Sequence, residues 1–265
     1  MKRIISCSYK DDTPAFHAEE FFENYRRGFV MVPTKYGPMR VSLKPEDVYA
    51  FVFWTKNPSD YFVEHLSEIK SPWYIQWTIT DYDNDIEMNL PAKREITDKF
   101  VELSKRFGKE HFTWRYDPIL LSEKYSIQEH HARYRAMCEK LAPYTTGCVI
   151  SFFDEYSKIQ DNIRRGEMRA LTDEEVDRLS AFIGRTAALA GVPVQTCAEG
   201  KYDLSRHGII DGPCIDPNRI ERLTGERLPD EIRRPGSFRR CACAVNTDIG
   251  QYHRCKHGCK YCYAK

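Results

Sequence analysis

Six short runs along the chain are apolar almost throughout, and polar or amphipathic segments separate them. The runs are rich in β-branched and aromatic residues, which is typical of strands that are buried on both faces of a parallel sheet. They cover residues 4–8, 49–55, 73–80, 111–116, 148–153 and 192–197. The pattern therefore predicts six buried β-strands.

The intervening segments carry helix start and stop signals. Pro14 opens one helix and Gly28 closes it, and Ser126 and Thr172 each begin a capping-box pattern. A strand–helix alternation that repeats six times predicts an α/β fold with parallel strands. Because no clean seventh or eighth strand is visible, we expect a partial (β/α)6 TIM-like barrel with a C-terminal cysteine-rich metal-binding tail.

Two stretches depart from the alternation. Residues 29–48 surround Tyr36-Gly37-Pro38 and predict a small hairpin inserted after the first helix. After Gly200 the periodicity weakens into an irregular connector. We therefore expect a barrel domain over residues 1–228 and a cysteine-rich, cluster-binding tail over residues 229–265, packed on the mouth of the barrel.

Composition narrows the class of protein. With 42% hydrophobic and 30% charged residues, the 265-residue chain is typical of a globular protein and not of a disordered one. The net charge of +1 gives no overall basic excess for nucleic acid. The longest apolar runs reach only about six residues, whereas a membrane span needs about 20. Since no secretory signal is visible either, we expect a cytoplasmic protein without membrane contact.

Ten cysteines are present, and five of them lie in the last 25 residues. Clustered thiols in a reducing compartment more often bind metal than form disulfides. Cys255, Cys259 and Cys262 follow a Cys-x3-Cys-x2-Cys spacing that can hold three irons of a [4Fe–4S] cluster and leave the fourth iron open. Gly258 permits the tight turn, and we expect the Tyr261 ring beside a cofactor on the open iron.

This spacing, with an aromatic residue before the last cysteine, resembles the cluster loop of radical S-adenosylmethionine (radical SAM) enzymes. The resemblance implies that S-adenosylmethionine binds the open iron and is cleaved reductively to a radical. It also implies a partial (β/α)6 barrel and an electron donor such as flavodoxin or ferredoxin. In that superfamily the loop ordinarily follows the first strand, whereas here it follows the last, and no glycine-rich stretch for S-adenosylmethionine is evident.

The whole chain also resembles one uncharacterised prokaryotic family, that of domain of unknown function 1848. The resemblance rests on residues 12–16, 52–58, 114–118, 149–152, 196–199 and 248–252, and on the Cys-Tyr-Ala ending. It confers no activity, but it implies that the cysteine tail belongs to the fold.

Four further thiols predict a second metal site, because four thiolates complete a tetrahedral zinc site or a saturated iron–sulfur cluster. These are Cys197, Cys214, Cys241 and Cys243. The alternative is that Cys241 and Cys243 lie near the first cluster, or that one of them supplies its fourth ligand.

Polar residues follow the predicted strands, where barrel active sites form. We expect Lys56, Arg115 and Asp117 to be catalytic, since the two cations can receive a carboxylate or phosphate. Thr55, Ser151 and Glu199, together with Tyr261, are the expected cofactor-binding residues. The alternative is a structural network of ion pairs at the same strand ends.

These features together predict an iron–sulfur enzyme of the radical SAM type acting on an unknown small-molecule or nucleotide substrate. A first alternative is a zinc-stabilised barrel, with His253 or His257 as the fourth zinc ligand, that binds nucleic acid without redox chemistry. Its nucleic-acid surface would be the arginine-rich connector, which comprises Arg233, Arg234, Arg239 and Arg240. A second alternative is radical repair of nucleic-acid lesions, as in spore photoproduct lyases.

Overall fold

The computed structural model describes residues 2–235 and 241–264, and these form a mixed α/β fold around an eight-stranded, mostly parallel sheet. The strands are β1 (Arg3–Cys7), β2 (Phe29–Thr34), β3 (Gly37–Ser42), β4 (Val48–Thr55), β5 (Trp73–Thr78), β6 (Phe112–Ile119), β7 (Cys148–Phe152), β8 (Val194–Thr196), β9 (Ile209–Asp211) and β10 (Thr247–Asp248). The order in the sheet is β10-β1-β4-β5-β6-β7-β8-β9, and β2 and β3 form a separate antiparallel hairpin.

All six runs predicted as strands are strands of this sheet. The expectation that the sheet has no further strands was wrong, because β9 and β10 add one strand at each end of the order. They span only three and two residues, which is too short for a hydrophobic pattern to reveal them. Since the order has two ends in the part of the chain that the structure describes, the partial barrel stays a prediction.

The helices are α1 (Thr13–Phe16), α2 (Ala18–Arg27), α3 (Asp60–His65), α4 (Lys93–Phe107), α5 (Ile127–Leu141), α6 (Gln160–Arg164), α7 (Asp173–Leu189), α8 (Pro217–Thr224) and α9 (Asp230–Arg233). Ser126 caps α5 through its hydroxyl, and Thr172 forms a complete capping box with Glu175 at the start of α7. Gly28 ends α2 at φ 83°, a left-handed conformation that favours glycine. None of these helices is both long and apolar enough to cross a membrane, among the residues described.

The described residues fall into two compact units. The first comprises the chain up to Gln76, the described part of Ile215–Lys256, and Ala264, and the second comprises Trp77–Cys214 and His257–Tyr263. The predicted division at residue 228 stays a prediction.

The first unit joins distant parts of the sequence. β1 pairs in parallel with β10 and β4, with Ser6 opposite Asp248 and Ile4 opposite Ala50. Its core packs β1 and β4 against α8, α9 and Ala244. In this way the segment after residue 240 becomes part of the sheet.

The second unit contains β6 to β9 in one parallel array, with Trp114 opposite Cys148 and Thr196 opposite Asp211. Parallel strands bring their carboxyl ends to the same edge of a sheet. An apolar cluster in this unit contains Tyr82, Tyr125 and Phe153. It also contains Cys259 and Tyr261 of the cysteine-rich tail.

Candidate active site

Arg115 and Asp117 lie near the carboxyl end of β6, two residues apart and therefore on the same face of the strand. The Arg115 guanidinium, on a residue only 5% exposed, donates to Asp117 Oδ2 from Nε at 2.9 Å and from Nη2 at 2.5 Å. Ser151 of β7 donates its hydroxyl to the other carboxylate oxygen of Asp117. The structure thus brings three of the predicted site residues into direct contact.

Two cysteines complete this group. Cys197 directly follows β8, and Cys214 lies in the loop after β9. Arg115 Nη1 donates to Cys214 Sγ at 2.9 Å, and the two sulfur atoms lie 3.1 Å apart. The guanidinium therefore contacts a carboxylate and a thiol at the same time.

Burial and the neighbouring groups together set the protonation states in this group. It acts to lower the pKa of the Arg115 guanidinium, but Asp117 and the two thiols together raise that pKa well above its usual value. The hydrogen bond with Cys214, followed by burial, raises the pKa of the Cys197 thiol well above its usual value. Arg115 is thus a permanent cation and Cys197 a neutral thiol.

Glu199 lies beside the same strands and has a strongly raised pKa. Its carboxylate accepts a hydrogen bond of 2.8 Å from the backbone N–H of Phe152. Burial, with the charges of Asp154 and Asp117, raises the pKa of Glu199 to about 7. A carboxyl group with such a pKa can both give and take a proton near neutral pH. Ala198, the residue before it, has a φ of 60°, a strained conformation for a side chain other than glycine.

The tail segment 257–263, here named the cysteine segment, is held within the second unit by hydrogen bonds. The backbone carbonyl of His257 accepts a hydrogen bond of 3.0 Å from Asn89 N. The backbone N–H of Lys260 donates a hydrogen bond of 2.9 Å to Ile86 O. Tyr261 donates its hydroxyl to Glu87, a carboxylate that also accepts from Thr80 at 2.7 Å. The segment is therefore fixed although it has no helix of its own.

Tyr261 is buried, and its ring makes an edge contact with the ring of Tyr82, with 6.2 Å between the two ring centroids. Burial and the neighbouring Glu87 raise the pKa of its hydroxyl well above the usual value. Its expected place beside a cofactor stays a prediction.

The predicted metal ligands lie in several places. Cys259 is buried and Cys262 half-buried in the second unit, whereas Cys255 is half-buried in the first. Cys243, also of the first unit, accepts from Ile215 N at 3.2 Å, and Cys241 is half-buried there. In the part of the chain that the structure describes, no three His, Cys, Asp or Glu residues are arranged to hold a metal ion. Both predicted metal sites stay predictions.

Lys56 and Thr55 lie at the end of β4 in the first unit. The Lys56 backbone N–H donates to Asp12 at 2.7 Å, and the Thr55 hydroxyl accepts from Asn57 N at 3.1 Å. These contacts shape the turn after β4, and the expected roles in catalysis and cofactor binding stay predictions. Of the arginine-rich connector, Arg233 pairs with Glu221, while Arg239 and Arg240 lie outside the described residues.

Sequence reasoning missed two carboxylates. Glu87 lies in a polar stretch between β5 and α4 and is 1% exposed in the structure. Asp248 of β10 binds Ser6 and Ser8 from the opposite end of the sequence. No local signal marks either residue, because both acquire their partners through long-range contacts.

Comparison with known proteins gives one family and no activity. A family model described as domain of unknown function (DUF1848) matches residues 4–264, which confirms the resemblance noted from the motifs. A search of curated proteins gives no significant match. Among solved structures, a candidate alpha-L-fucosidase from Bacteroides thetaiotaomicron VPI-5482 is 9% identical with a TM-score of 0.28. That match covers 85% of this chain and 86% of the other, and so low a TM-score carries no argument.

Proposed function

The chain belongs to the DUF1848 family of unknown function, and on that premise we propose that it is an iron–sulfur enzyme of the radical SAM type. Cys255, Cys259 and Cys262 are its proposed cluster ligands. The observation that carries the proposal is the fixed position of the cysteine segment within a unit that also holds a buried, charged site at its strand ends.

The cysteine segment fits a thiolate-bound cluster in its chemistry. It supplies two reduced thiols three residues apart, and Cys255 adds a third four residues earlier. Gly258 lies between Cys255 and Cys259 and adopts a φ of 69°. A Cβ atom at this position would lie 3.0 Å from the Asn89 side chain. A residue with a side chain would therefore disturb the turn that precedes Cys259.

The surroundings of Cys259 also suit such a cluster. The residue is 5% exposed and packs with Tyr82, Ile86 and Tyr125. An apolar shell limits access of water and tunes a metal centre. The ligands of a metal site are commonly gathered only when the metal binds, and we propose that this holds for the three cysteines here.

When bound, such a cluster supplies single electrons and an open iron for an external cosubstrate, for which we propose S-adenosylmethionine. The remaining chemistry belongs to side chains of the chain itself. Arg115, held by Asp117, provides fixed positive charge for an anionic small molecule or nucleotide. Glu199 holds or releases a proton at its carboxyl group near neutral pH. Ser151 keeps Asp117 oriented by donating to it.

The test is anaerobic reconstitution of the full chain with iron and sulfide. Iron and sulfide are then counted, and paramagnetic resonance spectra of dithionite-reduced protein are recorded with and without S-adenosylmethionine. We expect about four irons per chain and a signal that changes when S-adenosylmethionine is added. We also expect that a protein electron donor of the flavodoxin or ferredoxin type can reduce the cluster in place of dithionite.

The variants Cys259→Ala and Cys262→Ala should lose the cluster, while Cys138→Ala serves as the matched control. Cys138 is a buried cysteine of α5, so it reports the cost of removing a thiol as such. Circular dichroism checks that each variant is folded. Full iron content in both loop variants, or tight zinc binding with no reduced-cluster signal in the wild type, would overturn the proposal.

A further inference from the structure

We propose that Cys197 and Cys214 are a redox modification site, at which a peroxide converts the two thiols into a reversible disulfide. This inference is independent of the proposed iron–sulfur function, because it concerns other cysteines and a different reaction. It also gives these two residues a role other than the second metal site that the sequence predicts.

The distance between the sulfurs is the first argument. The two Sγ atoms lie 3.1 Å apart, against about 2.05 Å in a disulfide, so the sulfurs need to approach by only about 1 Å. Their backbones are held close by the sheet, since Cys197 follows β8, and Cys214 comes three residues after its parallel neighbour β9. The pair is thus brought together by the fold across 17 residues of sequence.

The environment of the two thiols differs, and this difference assigns their roles. Cys214 Sγ accepts an N–H from the Arg115 guanidinium at 2.9 Å, and a neighbouring cation of this kind stabilises a thiolate. Cys214 is therefore the nucleophile. The Cys197 sulfur lies 3.1 Å from it, so Cys197 is placed to react with whatever forms on Cys214. A reactive thiol with a second thiol beside it is the arrangement of redox-sensing cysteines.

The reaction balances with hydrogen peroxide as the oxidant. The Cys214 thiolate attacks one peroxide oxygen, the O–O bond breaks, and hydroxide leaves, giving a sulfenic acid on Cys214. Cys197 then attacks that sulfur, its proton leaves with the hydroxyl group as water, and the S–S bond forms. Two thiols have lost two electrons, which the peroxide has gained. A dithiol reductant reverses the change.

Oxidation would also alter the strand-end site. Forming the S–S bond would move the Cys214 sulfur, so the guanidinium of Arg115 would keep Asp117 but change its contact with Cys214.

The experiment uses the full chain, purified anaerobically, treated with a chelator and then exposed to an equal amount of hydrogen peroxide. Remaining thiols are blocked under denaturing conditions, and the protein is digested with trypsin and analysed by mass spectrometry. We expect a linked pair of peptides that contain Cys197 and Cys214 and that separate after treatment with a dithiol. Cys197→Ser should give no such pair, whereas the control variant Cys138→Ser should give it in full.

The rate of the reaction tests the assigned roles. Arg115→Gln should slow the loss of the Cys214 thiol about tenfold, because the thiolate loses its cation. Circular dichroism confirms that the variant is folded. Separate over-oxidation of the two thiols without a linked peptide overturns the proposal. So does a tightly bound metal that disappears in Cys197→Ser and prevents oxidation in the wild type, since the pair would then be a metal site.

Discussion

Each of the two units has a partly buried carboxylate on a strand of the sheet, but the two carboxylates are surrounded differently. In the first unit, Asp248 accepts from the hydroxyls of Ser6 and Ser8 at 2.7 and 2.9 Å and from Gly250 N at 3.0 Å, and Lys10 pairs with it at 3.3 Å. These donors come from β1, from the turn after it and from the residue two beyond Asp248. The contacts with Ser6, Ser8 and Lys10 fasten one chain segment to another.

In the second unit, Asp117 shares its partner Arg115 with a thiol, and Glu199 nearby has a pKa of about 7. This group includes two thiols, for which we propose reaction with peroxide, and a carboxyl group with a pKa near neutrality. Polar residues at strand ends therefore do not by themselves mark an active site. The two regions differ in what surrounds the carboxylate. In the first unit its partners are hydroxyl, N–H and ammonium donors, whereas in the second unit they are accompanied by thiols and a carboxyl group with a raised pKa.

The largest effect that tests this contrast is expected for Asp248→Ala. The substitution leaves two buried hydroxyls and Lys10 without their common acceptor, so we expect a loss of about 3–5 kcal/mol in the free energy of unfolding. Urea unfolding measures it, with Glu46→Ala, an exposed acid of the same unit, as the control. A loss below about 1 kcal/mol would show that Asp248 is not a structural anchor.

A smaller, pH-dependent effect is expected for Glu199→Gln. Because the pKa of Glu199 in the folded protein is above that of an unfolded chain, the folded state binds more protons between about pH 4.5 and 7. Stability contributed by this group is therefore present at low pH and lost as the pH rises through that window. The variant should be more stable than the wild type by about 2 kcal/mol at pH 8.

At pH 5 the two proteins should differ little, because Glu199 is then protonated and resembles glutamine. Urea unfolding at both pH values measures the effect, with Glu46→Gln as the control. A stability difference that is the same at pH 5 and pH 8 would contradict the assigned protonation.

The smallest effects on the free energy of unfolding are expected for Ser8→Ala and Ser151→Ala. The Ser8 hydroxyl donates to Asp248 and accepts from Lys10 N at 3.0 Å, so Ser8→Ala should lower stability by about 1–2 kcal/mol. Ser151→Ala should cost about 1 kcal/mol or less, because Asp117 keeps both hydrogen bonds from Arg115. Parallel urea titrations compare them. A clearly larger loss in Ser151→Ala would remove the distinction between the two regions.

Much of the fold was predictable because buried parallel strands are continuous apolar runs. The limits appear where a few residues depend on distant ones. β10 has two residues and exists only because β1 pairs with it. His130 lies in the middle of α5, and its side chain is fully buried. It bonds to the Tyr116 hydroxyl at 2.8 Å and to Leu120 O at 2.7 Å, and burial lowers its pKa to about 4. The sequence does not reveal these contacts, because periodicity does not show what packs outside a helix.

The candidate site was predictable in part for the same reason. Arg115, Asp117 and Ser151 lie on neighbouring buried parallel strands, so their meeting followed from parallel topology. The contact between Cys197 and Cys214 depends on β9, which the sequence did not reveal, and Glu87 gains its importance only from Tyr261 far along the chain. Such residues have no local pattern of their own.

The pairing of β1 with β10 has a consequence for biosynthesis. Ser6 and Asp248 are 242 positions apart, so during synthesis β1 emerges long before the strand that covers this edge. Contacts of such long sequence separation slow folding, and an uncovered strand edge invites pairing with other chains. A nascent or shortened chain that lacks β10 would therefore present an exposed edge of β1 to chaperones and proteases.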